Sequence, residues 1–203
     1  MPIILKPAVF LDRDGVLIED SDYVGLIEQV AFIPGAAAAV CKLNDAGFIV
    51  VVVTNQSGVA RQLFPESQVA VIHEYIAARL AEEARARIDR FEYCPHHPVH
   101  GIGEYRIDCE CRKPRPGMLL SAAQQLDIDL ANSWLIGDRL TDLQAGASAG
   151  CRTILVRTGY GTEVDITAPD VALNLARDVP SIVEAVDAII DILVSQKLLV
   201  DCS

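Results

Sequence analysis

The sequence predicts an α/β protein built as a three-layer, doubly wound parallel sheet. Short β-branched or aromatic runs alternate with helical segments along the chain, the pattern of repeated βαβ units. The strand-like runs are apolar throughout, as expected of strands covered on both faces. Three of them stop at polar turns: Asp12-Arg13-Asp14-Gly15, Thr54-Asn55-Gln56-Ser57-Gly58 and Gly137-Asp138. Ligands on such sheets sit at the carboxyl ends of the strands. The predicted fold therefore gathers these three turns on one edge.

The elements follow in order. Ala8–Leu11 reads as a short buried strand. Residues 34–46 read as a helix, with Pro34 able to begin it and Gly47 to end it. Residues 48–53 form an apolar run too short to cross a membrane and suited to a buried strand. Residues 67–87 have helical spacing, and 88–93 suggest a third strand. Residues 94–116 are rich in Cys, His, Pro and Gly and hold little that would fold on hydrophobic grounds. Helix returns at 118–126, a strand at 133–136, a helix at 141–149, a strand at 153–156 and a last helix at 180–194. Residues 196–203 carry no clear signal. The stretch 15–33 is too short for a cap of its own, so residues 1–203 are read as one domain with an insert at about 94–111 and no large cap.

Composition narrows the function. A net charge of −11 disfavours a nucleic-acid backbone as partner, while leaving room for a locally basic pocket. No run reads as a membrane span, and the N-terminus shows no secretory pattern. With half the residues apolar, the chain needs no disulfide scaffold, so its six cysteines are read as reduced in the cytoplasm. The expected partner is a small phosphorylated molecule, with no nucleic acid and no membrane, and the chain is read as a monomer.

Asp12 and Asp14 stand two apart at a strand mouth, where two carboxylates repel unless a cation or a proton offsets them. Mg²⁺ is the simple solution. Taken alone, the pair is equally a solvated turn. Thr54, Lys113, Asp138 and Asp142 each have an ordinary reading too: a strand-end hydroxyl, a surface lysine, a helix cap and a first-turn acid. The cysteine-rich stretch carries Cys94-x-His96 and Cys109-x-Cys111. Thiolate and imidazole in a set of four suit Zn²⁺, and a metal there would pin a loop that nothing apolar holds. His97 and His100 compete as ligands, and free reduced cysteines are the alternative.

The joint pattern resembles the haloacid dehalogenase superfamily of phosphatases over residues 9–157. The resemblance implies that Asp12 is the nucleophile, Asp14 the acid and base, Thr54 the holder of the transferring phosphoryl group and Lys113 the lysine that neutralises it. It implies Mg²⁺ on Asp12, Asp138 and the backbone carbonyl of Asp14, with Asp142 the second acid of its motif. Where many members have Thr after the glycine, this chain has Val16. CPHHP followed by CxCRKPxPGML is similar to the bacterial heptose-1,7-bisphosphate 7-phosphatases and to the related histidinol-phosphate phosphatases. That likeness implies structural zinc on Cys94, His96, Cys109 and Cys111. It implies substrate contacts along Asp12-Arg13-Asp14, Asp20-Ser21-Asp22-Tyr23, Asn55-Gln56-Ser57 and Arg112, with Arg61 and Arg139 as further anion contacts. Removal of the 7-phosphate of the heptose bisphosphate is the activity implied. Histidinol-phosphate hydrolysis and a vestigial, metal-pinned interaction module are the alternatives.

Overall fold

The computed structural model describes residues 4–167 and 174–201. Six strands, β1 (Ala8–Leu11), β2 (Ile49–Asn55), β3 (Arg90–Cys94), β4 (Trp134–Gly137), β5 (Arg152–Val156) and β6 (Leu175–Val179), form one sheet. Their order is β3-β2-β1-β4-β5-β6, and every neighbouring pair is parallel. This is the doubly wound order, whose winding reverses between β1 and β4 and opens a crevice there.

Strand alternation explains the two helical layers. Val9, Leu11, Val50, Val52, Trp134 and Ile136 pack with α1 (Ala36–Asp45), α3 (Ser67–Ala84) and α6 (Ile182–Asp201). Ala8, Phe10, Val51, Val53 and Leu135 face the other way, onto α4 (Gly117–Leu126) and α5 (Leu140–Ser148). Both faces are apolar, so the strands carry no polar alternation.

Most boundaries fall within two residues of the sequence reading, and the departures have physical causes. β2 runs on through Thr54 and Asn55 because its ladder continues to Tyr93 and Cys94 of β3. α3 stops at Ala84, where Arg85 takes a left-handed φ of 56° and its N–H returns to Leu80 and Ala81, a stop made without glycine. α2 (Ser57–Ala60) is a single turn. β6 is an edge strand, half exposed and carrying Arg177 and Asp178, and a register shift lets it pair with β5. Its polarity hid it from an apolar-run reading. α6 extends beyond residue 194 to Asp201. Val16 is fully buried in the main core, so its methyls serve packing.

Residues 15–33 hold one 3₁₀ turn, Ile27–Gln29, and no cap domain. Among the described residues no helix is long and apolar enough to cross a membrane.

Leu43 is fully buried on α1, which sends no side chain to the cavity described below. Leu43→Ala is expected to lower stability by about 2–5 kcal/mol. Urea denaturation should show this with turnover per folded molecule unchanged.

Candidate active site

The carboxyl ends of β1, β2 and β4 bring Asp12, Thr54 and Asp138 to the crevice. Lys113 arrives from the loop before α4. Asn55 clamps its backbone: the side-chain oxygen accepts from Lys113 N at 3.1 Å and the amide donates to Lys113 O at 3.1 Å. So fixed, Lys113 is 2% exposed. Its Nζ lies 2.9 Å from Asp12 Oδ1, 2.6 Å from Asp142 Oδ1 and 2.8 Å from Val53 O. An ammonium has three protons, and here each has an acceptor. Burial disfavours its charge, but Asp12 and Asp142 outweigh burial and hold its pKa above the ordinary lysine range.

The acids answer in kind. Burial pushes the Asp12 carboxyl well above its usual range; Lys113 opposes the shift, and Asp142, Asp138 and Asp14 add to it. Burial, then Asp142, raises Asp138 to about 7 against the Tyr160 N–H. Asp14 is matched by Arg13. Among the described residues Lys113 is the only cation in ion-pair contact with Asp12, Asp138 or Asp142, so by formal charge three negatives against one positive leave two over. An oxygen from each of the three acids lies within 4.8 Å of the others. Asp142 is already engaged, by Lys113 at one oxygen and by the Arg139 N–H at the other, 2.9 Å away. Asp138 accepts from Tyr160 N at 2.8 Å through Oδ2, while its buried Oδ1 has no hydrogen-bond partner. An orphaned carboxylate oxygen beside surplus negative charge fits a divalent cation held by Asp12 and Asp138. Both hydrogen bonds to Asp12 go to Oδ1, from Arg13 N and Lys113 Nζ, leaving Oδ2 with none.

Two glycines make room for Asp138. Gly15 (φ 82°) and Gly159 (φ 55°) would each place a Cβ within 2.3 Å of its Oδ2. Only a residue without Cβ tolerates both the left-handed backbone and the approach.

Asp14 is oriented from behind. Arg13 is fully buried, and its Nε and Nη2 donate to Asp14 at 3.0–3.2 Å. Gln56 accepts from Arg13 at 3.0 Å and donates to Asp14 at 3.1 Å and to Thr54 Oγ1 at 2.8 Å. Arg13 and Gln56, expected as substrate contacts, therefore aim Asp14 at the crevice.

A cavity of about 620 Å³ opens over these groups, lined further by Asp20, Asp22, Tyr23, Arg61, Arg112 and Arg139. Ser57 lines it too and accepts from Arg112 Nη1 at 2.9 Å. Ser21 is exposed and lies outside it. The sequence reading did not find Tyr160, Glu163, Asp165, Thr141 or His97 on its wall. The signal for Tyr160 was its place in Gly-Tyr-Gly directly after β5.

The second cluster joins Cys94, His96, Cys109 and Cys111. The three sulfurs lie 3.1–3.4 Å apart, and His96 Nδ1 is 3.6 Å from Cys111 and 3.9 Å from Cys94. These separations exclude disulfides, whose sulfurs are about 2.05 Å apart. They approach the edges of about 3.8 Å of a tetrahedron around Zn²⁺ with 2.3 Å arms. Hydrogen bonding with Cys94 pulls Cys111 down to about 5, toward the thiolate a metal needs. His97 turns away, its Nδ1 accepting from Val99 N and His100 N, which leaves His96 as the imidazole of the set. Arg112, next to Cys111, donates to His96 O at 2.9 Å, so the cluster fixes where this arginine stands.

Comparison with known proteins agrees with this geometry. A HAD-hydrolase-like family model matches residues 110–183. D-glycero-β-D-manno-heptose-1,7-bisphosphate 7-phosphatase of Vibrio cholerae is 46% identical over 177 residues, covering 86% of this chain and 95% of that protein. The Salmonella typhi protein of the same name is 45% identical, with 88% and 95% covered. The crystal structure of D,D-heptose 1,7-bisphosphate phosphatase from B. bronchiseptica, complexed with magnesium and phosphate, superposes with a TM-score of 0.82 at 35% identity, covering 91% of this chain and 98% of that one. With a like fold and such identity over nearly the whole length, this chain belongs to the D-glycero-β-D-manno-heptose-1,7-bisphosphate 7-phosphatase family of HAD-like hydrolases.

Proposed function

We propose that the protein removes the 7-phosphate of D-glycero-D-manno-heptose 1,7-bisphosphate through an aspartyl-phosphate on Asp12. The observation that carries this reading is the buried Lys113 bridge to Asp12, set beside the orphaned oxygen of Asp138 at the β1/β4 crevice. Asp12 Oδ2, free of hydrogen bonds, is the attacking atom. It forms a bond to phosphorus as the bond to the sugar oxygen breaks, and Asp14 gives that oxygen its proton. Asp14 then takes a proton from the water that attacks the aspartyl-phosphate, which frees phosphate and restores Asp12. Thr54 holds the phosphoryl group, and the charge of Lys113, its protons already placed on Asp12, Asp142 and Val53 O, offsets it. Asp12, Asp138 and the carbonyl of Asp14 would hold Mg²⁺, which when bound supplies positive charge against the phosphate and its anionic attacker.

The distal 1-phosphate is assigned to Arg112, with Arg61 and Arg139 beside it. Asp20 and Asp22, acids that a cationic substrate such as histidinol phosphate could use, are engaged by Arg139 and Tyr160, which favours a bisphosphate over histidinol phosphate. Zinc on the cysteine cluster is structural, because three thiols and an imidazole fill a tetrahedral site. The reading is completed by a single-domain, monomeric, cytoplasmic enzyme that binds neither nucleic acid nor membrane.

Asp12→Asn is expected to reduce turnover of the bisphosphate at least about a thousandfold while leaving the fold intact. Residual activity above that level would refute the covalent route. Arg112→Ala removes a charge-assisted contact worth about 1.5–3 kcal/mol. Its kcat/KM on the bisphosphate should fall about ten- to a hundredfold, with a much smaller fall on a small aryl phosphate. Equal losses would place Arg112 at the reaction centre. Wild-type preference for histidinol phosphate would overturn the substrate assignment. Stripping zinc should lower the Tm by at least about 5 °C and raise KM for the bisphosphate, both reversed by added Zn²⁺. An unchanged melt after complete removal would show that the cysteines are merely reduced thiols.

A further inference from the structure

Tyr160 stands between two glycines that bend the exit of β5. Gly159 has a φ of 55°, and a Cβ on Gly161 would lie 1.8 Å from Val156 O. The bend returns residue 160 to the cavity wall, where three contacts meet. Its N–H donates to Asp138 Oδ2 at 2.8 Å. Its ring lies 3.7 Å from the Arg139 guanidinium carbon. Its hydroxyl reaches Asp22 Oδ1 at 3.3 Å.

These contacts divide cleanly. The N–H serves Asp138 whatever residue stands at 160. The side chain serves Arg139 and Asp22. Arg139 needs such support, because its side chain is 45% exposed and only Nη2 is engaged, by Asp20 at 2.9 Å. A long arginine at that exposure keeps much rotamer freedom, and a flat aromatic platform removes it. Asp22 and Tyr23 both adopt left-handed backbone, φ 55° and 57°, which residues with a Cβ keep only when held. Asp22 N donates to Asp20 Oδ1 at 3.3 Å within the turn and Arg61 faces the Tyr23 ring, while the Tyr160 hydroxyl and the Arg139–Asp20 pair tie the turn to the wall at residues 139 and 160.

We propose that Tyr160 is a positioning residue for substrate recognition: its side chain fixes Arg139 and the Asp20–Asp22 turn as one wall for the non-reacting end of the phosphorylated substrate. The proposal rests on the reading above, in which Arg139 meets that end.

Steady-state kinetics on the heptose bisphosphate with Mg²⁺ test it. Tyr160→Ala should raise KM about five- to tenfold, the worth of a partly desolvated cation–π contact, with kcat changed less than about twofold. The Mg²⁺ concentration for half-maximal rate should not move, because a backbone group serves Asp138. Tyr160→Leu, which keeps bulk and loses the π face, should behave as Tyr160→Ala. Tyr160→Phe should restore most of the affinity. In an Arg139→Ala background, Tyr160→Ala should raise KM no further. A fall in kcat at unchanged KM, a shifted Mg²⁺ dependence, or additive KM effects in the double variant would overturn the proposal. Failure of the wild type to hydrolyse the bisphosphate would overturn the proposed function instead, so the two readings fail separately.

Discussion

A lysine ammonium buried between two carboxylates is the constraint on which the site depends. An isolated charge at 2% exposure would be prohibitively costly, and Lys113 exists there only because Asp12, Asp142 and Val53 O each accept one proton. The dependence runs both ways, since Asp12 buried without Lys113 would lose its main opposition to protonation. Yet Lys113 comes from a loop with little apolar content. Its backbone must therefore be held by polar means. Asn55 does this on one side, and on the other Arg115 donates to Cys109 O at 3.0 Å while Gly117 N donates to Glu110 O at 3.0 Å. The thiol–imidazole cluster lies just before this stretch, so a metal there would stiffen the support of Lys113 as well as of Arg112.

The doubly anionic sugar proposed as substrate and the acidity of the chain are reconciled once the charges are sorted by depth. The deepest layer keeps two uncompensated negative charges, suited to a cation that itself attracts phosphate. The arginines on the cavity wall are all braced: Arg112 by Ser57 and His96 O, Arg139 by Asp20 and Tyr160, and Arg61 facing the Tyr23 ring at 5.6 Å. Each brace leaves donors of the guanidinium unused, so an anion can still be met. Net charge therefore says little about what the cavity can take, because the charge of its wall is set by a few fixed cations.

The sheet was legible because its central strands are buried on both faces and read as unbroken apolar runs. Their polar terminations marked the crevice, which is why Asp12, Thr54 and Asp138 could be named from order alone. β6 was illegible for the opposite reason: an edge strand with Arg177 and Asp178 has no apolar signature. Arg13 and Gln56 were found as site residues, but their burial behind Asp14 could not be read, since a motif gives adjacency and not depth. Ser21 shows the same limit, because its neighbours line the cavity and it does not. Tyr160 lay beyond any motif used, and only tertiary contact links it to Asp138.

Asp138 and Asp142 show how fold turns equivalent residues into different instruments. They lie four apart in one acidic stretch, and both are fully buried. Asp142 sits in the first turn of α5, where the Arg139 N–H bonds Oδ2 and the Lys113 ammonium stands 2.6 Å from Oδ1 as its ion-pair partner. That makes it the counter-charge of Lys113. Asp138 sits just before the helix, between two glycines that admit its carboxylate, with one oxygen on Tyr160 N and the other unpaired. Capacity for a cation therefore belongs to Asp138. The division follows from where the strand stops and the helix starts. A shift of one residue in that boundary would move both acids, so the junction of β4 and α5 decides which carboxylate pairs with Lys113 and which is left without an ion-pair partner among the described residues.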